Sequence, residues 1–292
     1  MPVPRQVYLF LAVGLVAASQ SGNIIRLGDA HPVAIVAFRL GLATLILAPL
    51  AGRDLVALAA LRAKDLVLLV LAGMALAAHL VAWTAAVQLT TVANASTFYA
   101  VNPIITATAA WFIYGERLSR KIFASIGLGL VGVAVIGGGD LSLRPDHVPG
   151  DLLALVCSAL FTVYFLIGKR LRGMLDTSVY VTGVYGVAAL ASFACMAVLG
   201  LPFAGYGAQT WVCFSLMAVL PTVIGHTSFN NALRHMDASR ISVATLSEPL
   251  FAGTVAFFAW GERVTPNTIV GYALISGSVA LLVLDAARAQ RR

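Results

Sequence analysis

Charge is what this chain has least of. Only 11% of its 292 residues are Asp, Glu, Lys or Arg, against roughly 25% in an ordinary soluble domain. A soluble protein of this size has to cover its outside with polar side chains, and too few are present. Although the net charge is +7, no basic patch is interleaved with aromatic residues, so nucleic-acid binding is not expected. The chain also lacks the Gly-rich loop with a Lys that cradles nucleotide phosphates, and no ATP motor is encoded. Histidines, cysteines and carboxylates never recur at metal-ligand spacing, and no Ser-His-Asp set sits at a recognisable elbow. No metal, cofactor or catalytic residue is therefore expected. The three cysteines, Cys157, Cys195 and Cys213, fall inside apolar blocks and read as buried free thiols.

What is abundant is apolar sequence, at 60% of the residues. It comes in blocks of about 20, the length a helix needs to cross a bilayer core. Hydrocarbon offers the backbone no hydrogen-bond partner, so a spanning segment must be helical or part of a closed barrel. The blocks lack the apolar–polar alternation of barrel strands. Ten helices are predicted, at 7–26, 32–51, 66–87, 94–114, 121–137, 151–168, 177–199, 209–232, 241–260 and 267–286. The fourth and ninth carry an internal proline. The first block runs on to Leu27 with only Arg5 before it, which favours a retained helix over a cleaved leader. Fifteen of the 19 Lys and Arg side chains fall on the side of the N-terminus. Three (Arg26, Arg144 and Arg263) fall on the other side, and Arg39 lies within a span. Such a bias on short joints predicts that both termini are cytoplasmic.

The chain also repeats itself. Pro103 and Pro249 are 146 residues apart, and the same offset relates Gly115-Glu116-Arg117 to Gly261-Glu262-Arg263, Ala86 to Ala232 and Ser96 to Ser242. A duplication of five helices follows, with units at 1–145 and 146–292. Because five is odd, the second copy enters the membrane from the opposite side, the inverted repeat of many secondary transporters. The proline of helix four with Gly-Glu-Arg at its end, repeated in helix nine, and Arg39 in helix two resemble the EamA-type members of the drug/metabolite transporter superfamily. Within that group the chain looks most like bacterial exporters of amino acids, aromatic ones in particular. The resemblance implies half-bundles around a central cavity, with helices five and ten peripheral, and alternating access in the bacterial inner membrane.

An ionisable group inside a membrane is expensive and marks a functional site. Four are present: Arg39, His79, His226 and Glu248. Counting along the helices at about 1.5 Å per residue puts His79, Tyr99 and Asn102 at matched depth in the outer half. It puts His226 and Glu248 in the inner half near Asn230. His79, Trp83, Tyr99, Asn102 and Tyr164 are the expected substrate contacts; His226, Glu248 and Arg39 are expected to serve as gate or proton site. Pro103 and Pro249, having no N–H, free the carbonyls of Tyr99 and Thr245, each an expected acceptor for a substrate ammonium or the mark of a simple kink. Ser19, Gln20 and Asn23 are expected at the cavity mouth, with Phe161 and Thr162 beside Tyr164. Glu116 and Glu262 read as helix-end ion pairs with Arg117 and Arg263, and Trp211 and Trp260 as interface anchors. The expected activity is export of a small amphipathic metabolite, most simply an aromatic or large neutral amino acid. Efflux of hydrophobic drugs or cations and a non-transporting membrane scaffold remain the alternatives. Besides substrate and lipid, no partner is implied.

Overall fold

The computed structural model describes residues 3–116, 119–138, 145–261 and 264–291; Arg117, Arg144, Glu262 and Arg263 lie outside them. Among the described residues, nine helices are long and apolar enough to cross a membrane. These are α1 (Arg5–Ile25), α2 (Pro32–Ala59), α3 (Ala63–Leu89), α5 (Arg120–Gly138), α6 (Val148–Leu171), α7 (Thr177–Val198), α8 (Ala208–Ala232), α9 (Ala238–Trp260) and α10 (Pro266–Asp285). The remaining rod, α4, is made of Val92–Tyr99 and Asn102–Tyr114, broken between them at Ala100–Val101. That break is why α4 does not count as one long helix.

The local chemistry explains the boundaries. The Thr91 hydroxyl caps α4 by accepting from the Asn94 N–H at 3.0 Å. Inside α4 and α9 the prolines cannot donate to the preceding turn. Each therefore starts a new helical piece, Asn102–Tyr114 and Glu248–Trp260. Both pieces end on a glycine at φ +66°, Gly115 and Gly261. The glycines of the repeated motif are thus left-handed helix stops, a conformation other residues adopt only with strain.

Packing follows the duplication. The extensive pairs are α3 with α6, α1 with α8, α2 with α7 and α5 with α10. Shifting each helix number by five turns the first pair into the second and returns the last two to themselves, as a two-fold relation between inverted copies demands. The α5–α10 crossing shows it at single residues. Ser125 and Ser278 each donate a hydroxyl to the other's carbonyl at 2.7 Å. At the neighbouring crossing Gly132 and Gly271 meet, where a Cβ on Gly271 would sit 2.7 Å from the Gly132 oxygen. The offset of 146 carries Ser125 to Gly271 and Gly132 to Ser278, so each contact is the image of the other. Small residues let the two backbones approach, which is how helices associate without a hydrophobic driving force.

Across one face the bundle is clasped shut. Glu116, just past α4, forms an ion pair with Lys169 of α6. The same carboxylate accepts from the Ala238 and Ser239 N–H groups at 3.1 and 3.2 Å and from the Ser239 hydroxyl at 2.5 Å. It thereby caps the start of α9, where a helix has unsatisfied donors and a positive end. The carboxylate reaches across the two repeats, so it is a clasp between them; Arg117 and Glu262, expected in local helix-end pairs, lie outside the described residues. Burial raises the pKa of Glu116, but the bonds from Lys169 and Ser239 outweigh it and hold the carboxyl below its ordinary 4.5.

Two outcomes are expected. Replacing Gly271 with Val overpacks the α5–α10 crossing and lowers thermal stability by about 1–3 kcal/mol, read as a drop in unfolding temperature in detergent. Glu116→Gln removes about 1–3 kcal/mol of charge-assisted bonding. Because the folded-state pKa is depressed, wild-type clasp stability is full above the ordinary value and is lost as pH falls through the folded one. The variant's stability is then flatter with pH than the wild type's below 4.5.

Candidate functional site

Away from the clasp, α4 and α9 diverge and leave a cavity of about 650 Å³ that opens at the opposite face. Ser19 and Asn23 of α1, Thr91 at the start of α4 and Thr265 before α10 sit around its upper part. Helices five and ten, expected to be peripheral, contribute Val133, Ile136 and Tyr272, so their paired unit forms the back wall where α4 and α9 part. Gln20 is not at the mouth. Its amide bonds Ser19 and its carbonyl accepts from Asn23, whose Nδ2 also reaches the Ala252 carbonyl at 3.0 Å. Trp211 and Trp260 are partly exposed, and the Arg26 guanidinium lies 5.9 Å from the Trp260 ring centroid.

His79, Trp83 and Tyr99 all line the cavity. The His79 ring lies 6.1 Å from Tyr99 and 5.2 Å from Phe161, and Trp83 lies 5.6 Å from Tyr99. His79 is anchored from behind, with Nδ1 3.0 Å from the Cys157 carbonyl and 3.1 Å from its Sγ. Trp83 donates its indole N–H to Ser21 at 3.0 Å. These aromatic walls therefore have fixed orientations before any ligand arrives. Cys157 and Cys213 are buried, whereas Cys195, expected to be buried, is exposed on α7.

Asn102 and Tyr164 do not reach the cavity. Asn102 is turned into α6, where Nδ2 donates to the Ser158 carbonyl at 3.1 Å and to Thr162 at 3.4 Å. Tyr164 lies beneath the floor, with its hydroxyl accepting from Asn230 and its ring 6.2 Å from His226. The carbonyls freed by the prolines are also not waiting for substrate. Ser158 donates its hydroxyl to the Tyr99 carbonyl at 2.8 Å. The position equivalent to Ser158 in the first repeat is Ala12, which has no hydroxyl. Thr245 instead receives the Glu248 N–H through a tighter turn.

Depth counting misplaced the other pair. His226 and Glu248 line the same cavity as His79, and the two imidazoles are 6.0 Å apart. His79 and the residue beside His226, Gly225, are related by the repeat offset, so the two histidines meet where the copies do. A uniform rise fails in α8 because Ala218–His226 is wound as a wide π-helix around Pro221, an irregularity common at functional sites. This stretch presents Thr222 to Arg39, whose Nε donates to its hydroxyl at 2.5 Å. Arg39 is 1% exposed, and its Nη1 is buried with no partner among the described residues. His226 Nδ1 is likewise without one. The Glu248 carboxyl makes no hydrogen bond or ion pair with any described residue. Nothing in the sequence singled out Ser158, Pro221 or Thr222, and Cys157 read there as a buried thiol without a role at the site. Pro221 within an apolar block was the available signal.

The EamA-like transporter family matches twice, over residues 6–138 and 148–284. An uncharacterized transporter of Archaeoglobus fulgidus is 25% identical over 68% of this chain and 70% of its own length. The protein RarD of Streptomyces exfoliatus is 28% identical over 69% of this chain and 62% of its own length. The aromatic amino acid exporter YddG of Ancylobacter novellus is 25% identical over 64% of this chain and 65% of its own length. The matched region thus spans less than two thirds of the last two relatives. A solved crystal structure superposes with a TM-score of 0.82 at 20% identity, over 97% of this chain and 98% of that one, a likeness of fold. The paired family matches and the symmetric helix packing agree with the resemblance carried by the repeated proline and Gly-Glu-Arg motif. The chain belongs to the EamA-like transporter family.

Proposed function

We propose that this transporter exports small amphipathic metabolites, most simply aromatic or large neutral amino acids, by alternating access and without chemistry on its substrate. The observation that carries the reading is an aromatic-walled cavity, open at one face and shut at the other by the Glu116 clasp. Its volume of about 650 Å³ suits a metabolite. His79, Trp83, Tyr99 and Phe161 are the proposed substrate walls. Arg39 and His226, at the floor above Tyr164 and Asn230, are the proposed inner gate that parts on release. Asn102 and Tyr164 are assigned to holding α4 and the floor in place. The repeats divide at residues 145 and 146, a boundary supported by the gap between the two family matches. The placement is the bacterial inner membrane with both termini cytoplasmic, supported by the bias of basic residues and by bacterial relatives. The open face is then periplasmic and the clasp cytoplasmic.

Efflux of hydrophobic cations is the second reading, and the unpaired carboxyl of Glu248 favours it. The unpaired Arg39 in the same cavity weighs against it, since a bound cation would leave that guanidinium uncompensated.

Counterflow in proteoliposomes checks the substrate class. Vesicles loaded with aromatic or large neutral amino acids are expected to accumulate labelled phenylalanine, and running the assay with and without a pH gradient reads coupling. If folded protein shows no uptake with any amino acid, the amino-acid reading fails and cation efflux takes its place. His79→Ala and Tyr99→Ala are each expected to lower phenylalanine counterflow by about tenfold, the equivalent of 1.4 kcal/mol of lost contact. Unchanged transport by both, at wild-type levels of folded protein, refutes their place in the site.

A further inference from the structure

We propose that Arg39 and Glu248 form a two-point site for a molecule carrying one free carboxylate and one free ammonium group, with Arg39 taking the carboxylate and Glu248 the ammonium. This rests on the amino-acid reading above and specifies which end of the substrate each repeat holds.

Two groups at the cavity are left uncompensated. Of the five N–H donors of Arg39, one is used, by Thr222, and Nη1 is buried without a partner among the described residues. No described carboxylate lies within ion-pair distance of the guanidinium. A buried guanidinium without an anion is among the most expensive arrangements in a membrane interior, and such groups persist where function needs them. Glu248 presents the complementary case. Its image in the first repeat is Asn102, which spends its amide on the Ser158 carbonyl and Thr162 of α6. The positions on α1 equivalent to Ser158 and Thr162 are Ala12 and Val16, whose side chains offer no donor. The same place in the fold is tied to its neighbouring helix in one copy, through the Asn102 amide nitrogen, and faces the cavity without such a tie in the other.

These two groups oppose each other in sign and come from different repeats, α2 and α9. Apart from Arg26, which lies against Trp260, they are the charged residues lining the cavity. His79 and Tyr99 line it with them, their rings 6.1 Å apart. A ligand with one charge would pair one of the two groups and bury the other unpaired. A neutral ligand with both charges satisfies both, and its apolar remainder meets Trp83 and Phe161. Binding also links the two copies through the substrate, which is what a rocking mechanism between repeats requires of its cargo.

The test is competition against labelled phenylalanine counterflow in proteoliposomes of the full chain. Phenylalanine, 2-phenylethylamine, 3-phenylpropionate and N-acetylphenylalanine share the ring and differ only at the head. The three analogues are expected to compete at least about tenfold less well than phenylalanine, since a site built to bond a group rejects molecules lacking it. Arg39→Gln is expected to erase the discrimination against the amine while keeping that against the acid. Glu248→Gln is expected to do the reverse. Equal competition by amine, acid and amino acid in the wild type overturns the two-point site and leaves the export reading standing. The same holds if both variants keep the wild-type order. Absence of any amino-acid counterflow overturns the amino-acid reading and this inference with it. Should either variant fail to fold, the wild-type series decides alone.

Discussion

Inside a bilayer a polar group has no water to turn to, and the whole bundle is arranged around that constraint. Hydroxyls on α3, α6 and α7 bond carbonyls a turn back in their own helices, as Thr84, Thr162 and Ser192 do. Carbonyls that lose a partner to proline are given another one, by Ser158 in one repeat and by the Glu248 backbone in the other. Where helices cross most closely, the serines of α5 and α10 bond each other's backbone. At the cavity itself, Arg39, His226 and Glu248 each keep an unmatched atom or group.

The duplication turns one sequence solution into two structural roles. Identical motifs end α4 and α9, with the same proline break and the same left-handed glycine. The residues around them have diverged. Ser158 and Thr162 hold Asn102 on one side, while Ala12 and Val16 leave Glu248 to the cavity on the other. Lys169 completes the Glu116 clasp, and its equivalent in the first repeat is the uncharged Asn23. The two faces of the molecule are thus chemically different. That difference gives a physical basis for one face being shut while the other is open.

Much of this was legible in the residues. The scarcity of charge and the apolar blocks determined a helical membrane bundle, because hydrocarbon permits few other structures. The offset of 146 determined the inverted repeat, since an odd number of spans must reverse direction. The rarity of intramembrane ionisable residues also identified Arg39, His79, His226 and Glu248, each of which lines the cavity.

What the sequence left open was direction and distance. Asn102 and Tyr164 have the right depth but face α6 and the floor, because a side chain's facing depends on which neighbour supplies its hydrogen bonds. His226 and Glu248 were counted into the inner half because counting assumes a straight helix of constant rise. Pro221, the π-helical turns of α8 and the tight turn before Glu248 break that assumption. The Glu116 clasp was out of reach for a similar reason. Its partners, Lys169, Ala238 and Ser239, lie 53, 122 and 123 residues away, and only the packing of α4 against α6 and α9 brings them to one carboxylate.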